Sequence, residues 1–254
     1  MSIELFNNGH HKCIAFSDLV PGHGVQSNQF LIIDENQTIL LDPGGQLTFS
    51  ALNLKLRDYI DPKQLTYLFA SHQDPDIIAS LESWITRTDA VVVCSKLWAR
   101  FFPHLIPNYM GDKLSERFLA VEDPGQSLLL GNNPLKIIPA HFLHSVGNFQ
   151  IYDPVSKILF SGDMGASMVD DGPDQPVEDF DAHIPSMLGF HQRYMVNNKA
   201  CHLWAHMVRS LDIEMIVPQH GRPFSRDNVP RFLDWISTLQ CGTDLLSEQN
   251  YQIP

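Results

Sequence analysis

The sequence predicts an α/β layered domain, on three observations. Strand-like and helix-like segments alternate through both halves of the chain. The strand-like runs are short, apolar and bounded by turn residues. The 254 residues, 44% of them hydrophobic, suffice for a substantial core. In the first third, Gln29 to Ile33 and Thr38 to Leu41 read as paired strands around the turn Asp34-Glu35-Asn36, and Asp42-Pro43-Gly44-Gly45 closes the second. Leu47 to Ile60 has helical spacing of apolar residues and stops before Asp61-Pro62. Leu65 to Ala70 reads as a buried strand, Ile77 to Thr86 as a helix and Ala90 to Cys94 as a strand. Further strands are expected at Ser127 to Leu130, Leu135 to Pro139, Phe149 to Tyr152, Ile158 to Phe160 and Met215 to Val217. Helices are expected from about Gln192 to Leu211 and from about Asn228 to Leu239. Val169 to His183, acidic and rich in Asp, Pro and Gly, reads as a solvated loop, or as a lid near Asp163. No internal repeat or low-complexity linker interrupts the pattern.

Composition excludes several function classes. The net charge of −12, with no cluster of Lys and Arg, gives no support for nucleic-acid binding or for adhesion to an anionic membrane. The first residues, Met1-Ser2-Ile3-Glu4-Leu5-Phe6, lack the basic and apolar regions of a signal peptide, and no apolar run approaches the roughly 20 residues of a membrane span. A soluble cytoplasmic protein is expected. The four cysteines, Cys13, Cys94, Cys201 and Cys241, are scattered without C-x-x-C pairing, so a disulfide framework is not expected and Cys94 reads as a core residue.

The chemistry concentrates in Ser71-His72-Gln73-Asp74-Pro75-Asp76, at the end of a buried strand. In an extended loop, alternate side chains fall on one side, so His72, Asp74 and Asp76 can converge on metal ions. Asp76 also reads as the cap of the helix beginning at Ile77. Two further strands end in metal-capable residues: Ile158-Leu159-Phe160-Ser161-Gly162-Asp163 and Met215-Ile216-Val217-Pro218-Gln219-His220. One such residue at a strand end is usually a solvated polar group; three in one chain form a pattern.

In these segments the chain resembles the metallo-β-lactamase superfamily, and within it the diiron domain of the flavodiiron proteins. The family's first run is His-x-Glu-x-Asp, and here His72, Asp74 and Asp76 occupy it, with Asp in place of Glu. The block from His144 through Tyr152-Asp153-Pro154 to Asp163 is similar to the family's central block, and its ligand interval selects His144 over His141. Pro218-Gln219-His220-Gly221 is similar to the final ligand block, and His23-Gly24-Val25-Gln26-Ser27-Asn28-Gln29-Phe30-Leu31-Ile32 to an N-terminal segment. The resemblance implies a single αββα domain over 1–254, two central sheets between helical layers, with the metals at one edge. It implies that His72, Asp74 and His144 bind one iron, that Asp76 and His220 bind a second, and that Asp163 bridges them. Zinc hydrolases of the superfamily carry His-x-His-x-Asp-His; with Asp74 and Ile77 at two of those positions, the site loses two imidazoles and gains a carboxylate, which favours iron.

The resemblance also implies function. No flavodoxin domain is expected and no flavin-phosphate loop is recognisable, so no FMN is expected on the chain, and it resembles the stand-alone branch described as oxygen-binding diiron proteins. The expectation is a non-haem diiron protein that binds dioxygen, or nitric oxide. It would work with a separate signalling protein or electron donor, and could form a homodimer. Two other readings stay open: an oxygen or nitric oxide reductase served by a separate redox partner, and a metal-dependent hydrolase using a metal-bound hydroxide. His23 and Tyr194 are expected in the pocket, His23 as a hydrogen-bond donor to bound oxygen. Asp42 is expected to orient a ligand imidazole, or else to shape the turn before Pro43. His141 reads as a hydrogen-bonded structural residue, His202 and His206 as one helix face without a metal, and His10 and His11 as surface residues.

Overall fold

The structure is a computed structural model that describes residues 1–106, 114–169 and 172–253. Strands β1 (Ser2–Asn7), β2 (His11–Phe16), β3 (Gln29–Asp34), β4 (Gln37–Leu41), β5 (Tyr67–Phe69), β6 (Val91–Ser95) and β7 (Phe118–Val121) form one sheet in sequential order. The pairings run antiparallel up to β4 and parallel beyond it, where helices make the crossovers: α1 (Gln46–Leu56) before β5, then α2 (Pro75–Ile78) and α3 (Leu81–Ile85) before β6. A short helix, α4 (Lys96–Ala99), follows β6. The second sheet has the order β13-β12-β11-β10-β9-β8 and comprises β8 (Gln126–Leu130), β9 (Asn133–Pro139), β10 (Phe149–Asp153), β11 (Ile158–Phe160), β12 (Met215–Val217) and β13 (Phe224–Ser225). Helices α5 (Phe180–Tyr194), α6 (Asn198–Val208) and α7 (Val229–Thr238) complete the described α-helices.

Strand alternation sorts the apolar residues into layers. Phe30, Ile32, Ile39, Leu41, Phe69 and Val93 of the first sheet pack with Phe149, Ile151, Phe160 and Val217 of the second, forming the core between the sheets. Their neighbours Leu31, Leu40, Leu68 and Val92 face the other way, onto Leu52, Leu56, Leu81 and Trp84 of the first helical layer. Leu159 and Ile216 likewise face Met187, Trp204, Phe232 and Ile236 of α5–α7. The result is the four-layer αββα sandwich.

The expected strands from Gln29 onward are present, and Cys94 is buried in the core. Several expectations are corrected. The helix expected over Ile77 to Thr86 is two short helices, with Asp74 rather than Asp76 at the N-cap position and no side-chain cap bond. The helix expected from Gln192 to Leu211 is the end of α5 and all of α6, broken at Met195–Asn197, where the Asn197 side chain accepts from the Ala200 amide and caps α6. The loop expected to reach His183 ends earlier, because the Asp179 carboxylate accepts from the amides of Asp181 and Ala182 and starts α5; positions 170 and 171 lie outside the described residues. Strands β1 and β2 were not foreseen. His11 is therefore no surface residue: β1 covers β2 on one edge, and the His11 ring lies buried between the sheets. Among the described residues, no helix is long and apolar enough to cross a membrane.

Candidate metal centre

Four segments at one end of the sandwich bring the candidate ligands together, and a fifth brings Asp42 behind them. Asp42 follows β4, His72 follows β5, His144 lies between β9 and β10, Asp163 follows β11, and His220 follows β12. The turn that presents Asp163 needs glycine on both sides, Gly162 at φ +55 and Gly165 at φ +96. A Cβ at Gly165 would also lie 2.7 Å from the Phe224 ring.

Asp163, 3% exposed, sits at the centre. Its Oδ2 lies 2.6 Å from His144 Nε2 and 3.3 Å from His72 Nε2, whereas its Oδ1 lies 3.4 Å from His220 Nε2. Asp74 Oδ2 closes the first side, 3.4 Å from His144 Nε2 and 3.7 Å from His72 Nε2. Asp76 Oδ2 closes the second, 3.4 Å from His220 Nε2. Ligand-capable atoms of His72, Asp74, His144 and Asp163 all lie within 4.8 Å of one another. All six residues singled out in the sequence as ligands are thus gathered in two groups about one carboxylate.

The outer hydrogen bonds set the tautomers. Asp42, buried and at φ +51, accepts from the Ser71 amide at 2.8 Å and from the Ser71 hydroxyl at 3.1 Å. With its proton given to Asp42, the Ser71 oxygen accepts from His72 Nδ1 at 2.9 Å. His220 Nδ1 donates to the Gln26 carbonyl at 2.7 Å. Both rings therefore carry a proton on Nδ1 and turn Nε2 toward the cluster, as second-sphere partners of metal-bound histidines do. Asp42 reaches the His72 ring through Ser71, which the sequence did not single out.

The donor set fits a cation. His72 Nε2 and Asp163 Oδ1 are buried without a hydrogen-bond partner, an expensive state unless another group compensates it. Electrostatics point the same way. Burial works to lower the His72 pKa, but the nearby carboxylates of Asp163 and Asp74 outweigh it and push the value up to about 10. His144 is pushed up to about 9 against burial, by Asp163 and Asp74. Burial opposes the charge of Asp163, yet the three imidazoles hold its carboxyl well below the usual range. The site thus holds positive charge tightly, and metal ions would take the place of those protons.

A cavity of about 610 Å³ opens over Asp74, Asp76, His144, Asp163 and His220. Its apolar wall includes Val20, Val25, Leu47, Met168, Phe190 and Tyr194. The Tyr194 ring stands edge-on to His144 at 5.5 Å and tilted against Phe190 at 4.8 Å. His23 is not brought to the cluster: it is exposed on the turn after Gly22, and its neighbours Gly24 and Val25 line the cavity instead. His141 lies off the cluster and bonds the Asp123 carbonyl at 2.7 Å through Nε2. His202 and His206 are exposed on α6. Phe190, Met168 and Leu47 were not foreseen, since apolar residues at a cavity mouth carry no mark in a sequence.

A family model, the ODP family beta lactamase, matches residues 25–221, which include every one of these candidate ligands. The chain belongs to this ODP family. It is similar over its length to the chemotaxis sensor ODP. One solved structure of that sensor, described as a peroxy diiron species, is 38% identical, covers 98% of this chain and 99% of its own, and has a TM-score of 0.87. Another, the apo state from T. denticola, is 39% identical with 99% of each chain covered and the same TM-score. A flavo di-iron protein variant from Thermotoga maritima, 18% identical, shares the fold over 93% of this chain and 60% of its own, with a TM-score of 0.76. An uncharacterized protein of Methanocaldococcus jannaschii is 26% identical over 222 residues, 84% of this chain and 53% of its own. A putative diflavin flavoprotein of Synechocystis is 30% identical over 139 residues, 54% of this chain and 22% of its own. The chain spans about half or less of the length of these curated relatives.

Proposed function

We propose that this chain is a non-haem diiron protein that binds dioxygen and reports it to a separate signalling protein. One observation carries the reading: the two oxygens of Asp163 face different imidazoles, Oδ2 toward His72 and His144 and Oδ1 toward His220. A carboxylate placed this way suits a bridge between two cations, whose mutual repulsion it screens. His72, Asp74 and His144 would hold one iron, and Asp76 and His220 the other. A set of imidazoles and carboxylates in equal number suits iron better than the imidazole-rich sets of zinc hydrolases. When bound, the two irons supply the one-electron chemistry that reversible dioxygen binding needs.

The protein's own groups do the rest. Ser71 and the Gln26 carbonyl keep the protons of His72 and His220 on Nδ1, so that both Nε2 atoms stay free to donate a lone pair. Phe190 and Tyr194 brace the His144 ring. The apolar wall admits a small uncharged molecule, dioxygen or nitric oxide, more readily than an ionic ester. The likeness to a chemotaxis sensor favours reporting over turnover. Electrons for any reduction would come from a separate donor, since the reading assigns no FMN to this chain. Ferrous protein prepared without air and then exposed to oxygen should take up about one dioxygen per two irons, measured with an oxygen electrode. No uptake, with hydrolysis of a thioester or phosphodiester instead, would contradict the proposal.

A further inference from the structure

Helix α5 touches the candidate centre twice, and only one contact is visible from the cavity. On its outer side, Phe190 and Tyr194 stand against His144. On its inner side, His191 is wholly buried, with the Trp235 ring edge-on at 5.2 Å and Phe232 at 6.3 Å. Its Nδ1 is 2.9 Å from the Met187 carbonyl, and its Nε2 is 3.0 Å from the amide of Gly165. A carbonyl only accepts and an amide only donates, so the ring must carry its proton on Nδ1 and present a lone pair at Nε2. Gly165 stands two residues after Asp163, in the glycine-flanked turn that presents the carboxylate. Met164 amide to Ser161 carbonyl and Ala166 amide to Asp163 carbonyl are local bonds of that turn, and its first glycine is held from the sheet side, the Gly162 carbonyl accepting from the Gln219 amide at 2.7 Å. The His191 bond ties the turn to a helix.

We propose that His191 is a positioning residue for the metal centre: as an Nδ1–H tautomer it anchors the Gly165 amide and so fixes the Asp163 carboxylate between the two metal positions. The inference rests on the reading of Asp163 as the bridge. A side chain without an acceptor at this position leaves a buried amide unpaired, and the cheapest relief is a rotation of the turn. That rotation moves Asp163 relative to the His72 and His220 sides together, so it weakens the less fully held metal first. Loss of an outer hydrogen-bonding partner commonly costs a metal site tenfold or more in affinity.

The test compares His191→Leu, which removes the acceptor, with His191→Gln, whose amide oxygen can reach where Nε2 stood. Anaerobic titration with ferrous iron gives the two affinities, and thermal unfolding of the metal-free proteins gives stability. The expected result is a weaker second affinity in His191→Leu, by roughly tenfold, and recovery to within about threefold of wild type in His191→Gln. Equal destabilisation of both metal-free variants with unchanged iron affinities would overturn the proposal, because it describes a packing residue. If His191→Leu does not fold, long-range nitrogen–proton spectra of the wild type decide: a proton on Nε2 contradicts the proposal, and one on Nδ1 supports it. Failure of the diiron reading is distinguishable, since wild type itself would then bind no second iron.

Discussion

The sandwich carries a buried cluster of histidine and aspartate at each of its two ends, and the two behave differently. At the candidate metal end, three imidazoles turn Nε2 onto three carboxylates, and His72 Nε2 and Asp163 Oδ1 remain without partners beneath a cavity. At the other end, His11 spans from Asp34, at the end of β3, to Asp153, at the end of β10, with Nδ1–Oδ2 and Nε2–Oδ2 distances of 2.6 and 2.8 Å. Here every charge is answered. Asp34 also accepts from the Asn132 amide and the Asn133 side chain, and Asp153 from the Val155 amide and the Ser156 hydroxyl. Cys13 Sγ adds a contact to Asp153 at 3.4 Å. With acceptors on both ring nitrogens, His11 is satisfied only as an imidazolium. The difference teaches that residue type alone does not mark a metal site. The distinction lies in whether the outer hydrogen bonds leave lone pairs unspent and directed to one point.

The contrast breaks most sharply at Asp163. Asp163→Ala should reduce iron from about two per chain to at most one, by metal analysis after reconstitution, because both halves of the site share this group. Full loading would show that it bridges nothing. Next in size, His144→Ala should lose iron while His141→Ala keeps most of it, since His144 Nε2 lies 2.6 Å from Asp163 and His141 stands off the cluster with Nε2 on the Asp123 carbonyl. The reverse pattern would move the ligand assignment.

At the opposite end the expected loss is of stability and not of metal. His11→Ala leaves two buried carboxylates facing each other, and breaking such a pair costs about 3 to 5 kcal/mol, read by chemical denaturation. The pH dependence has a definite sign. Burial opposes the charge on His11, but Asp153 and Asp34 raise its pKa above the ordinary 6.5. Its contribution is therefore complete below 6.5 and fades as pH rises through the folded value. Burial likewise opposes the charge on Asp34 and Asp153, but hydrogen bonds hold both below the ordinary 3.8, so their contribution is complete above 3.8 and fades as pH falls through their folded values. The network should stabilise most between about 3.8 and 6.5; above 6.5, where wild type loses the contribution of His11, the His11→Ala profile should be flatter. Parallel profiles would mean that the ring is neutral.

The smallest effect is expected at His23. Its exposure and its place outside the cavity wall predict that His23→Ala changes oxygen affinity less than Tyr194→Phe does. A larger effect of His23 would show that its turn closes over the site.

The two ends were unequally legible in the sequence. His72, Asp163 and His220 announce themselves because each lies just after an apolar strand, where a loop must present it, and Asp74 and Asp76 because they alternate with His72. Phe30 to Ile32 and Ile158 to Phe160 show the fold for the same reason: alternation into two cores demands continuous apolar runs. His11 stayed hidden because β1 and β2 are edge-side strands with polar residues among the apolar ones, so His10-His11-Lys12 reads as surface. Its partners lie 23 and 142 residues away, a separation that no local pattern reports. The α5–α6 break was obscured because apolar spacing continues through Met195 and Val196, and only the capping geometry of Asn197 reveals it.

The central claim is a pair of metals sharing Asp163, and Mössbauer spectroscopy of the wild-type protein reconstituted with ⁵⁷Fe tests it most directly. The account predicts about two irons per chain, in two signals of equal area from unequal surroundings, and spin coupling between them in the oxidised protein. A single uncoupled iron per chain, or zinc that iron does not displace, would contradict it.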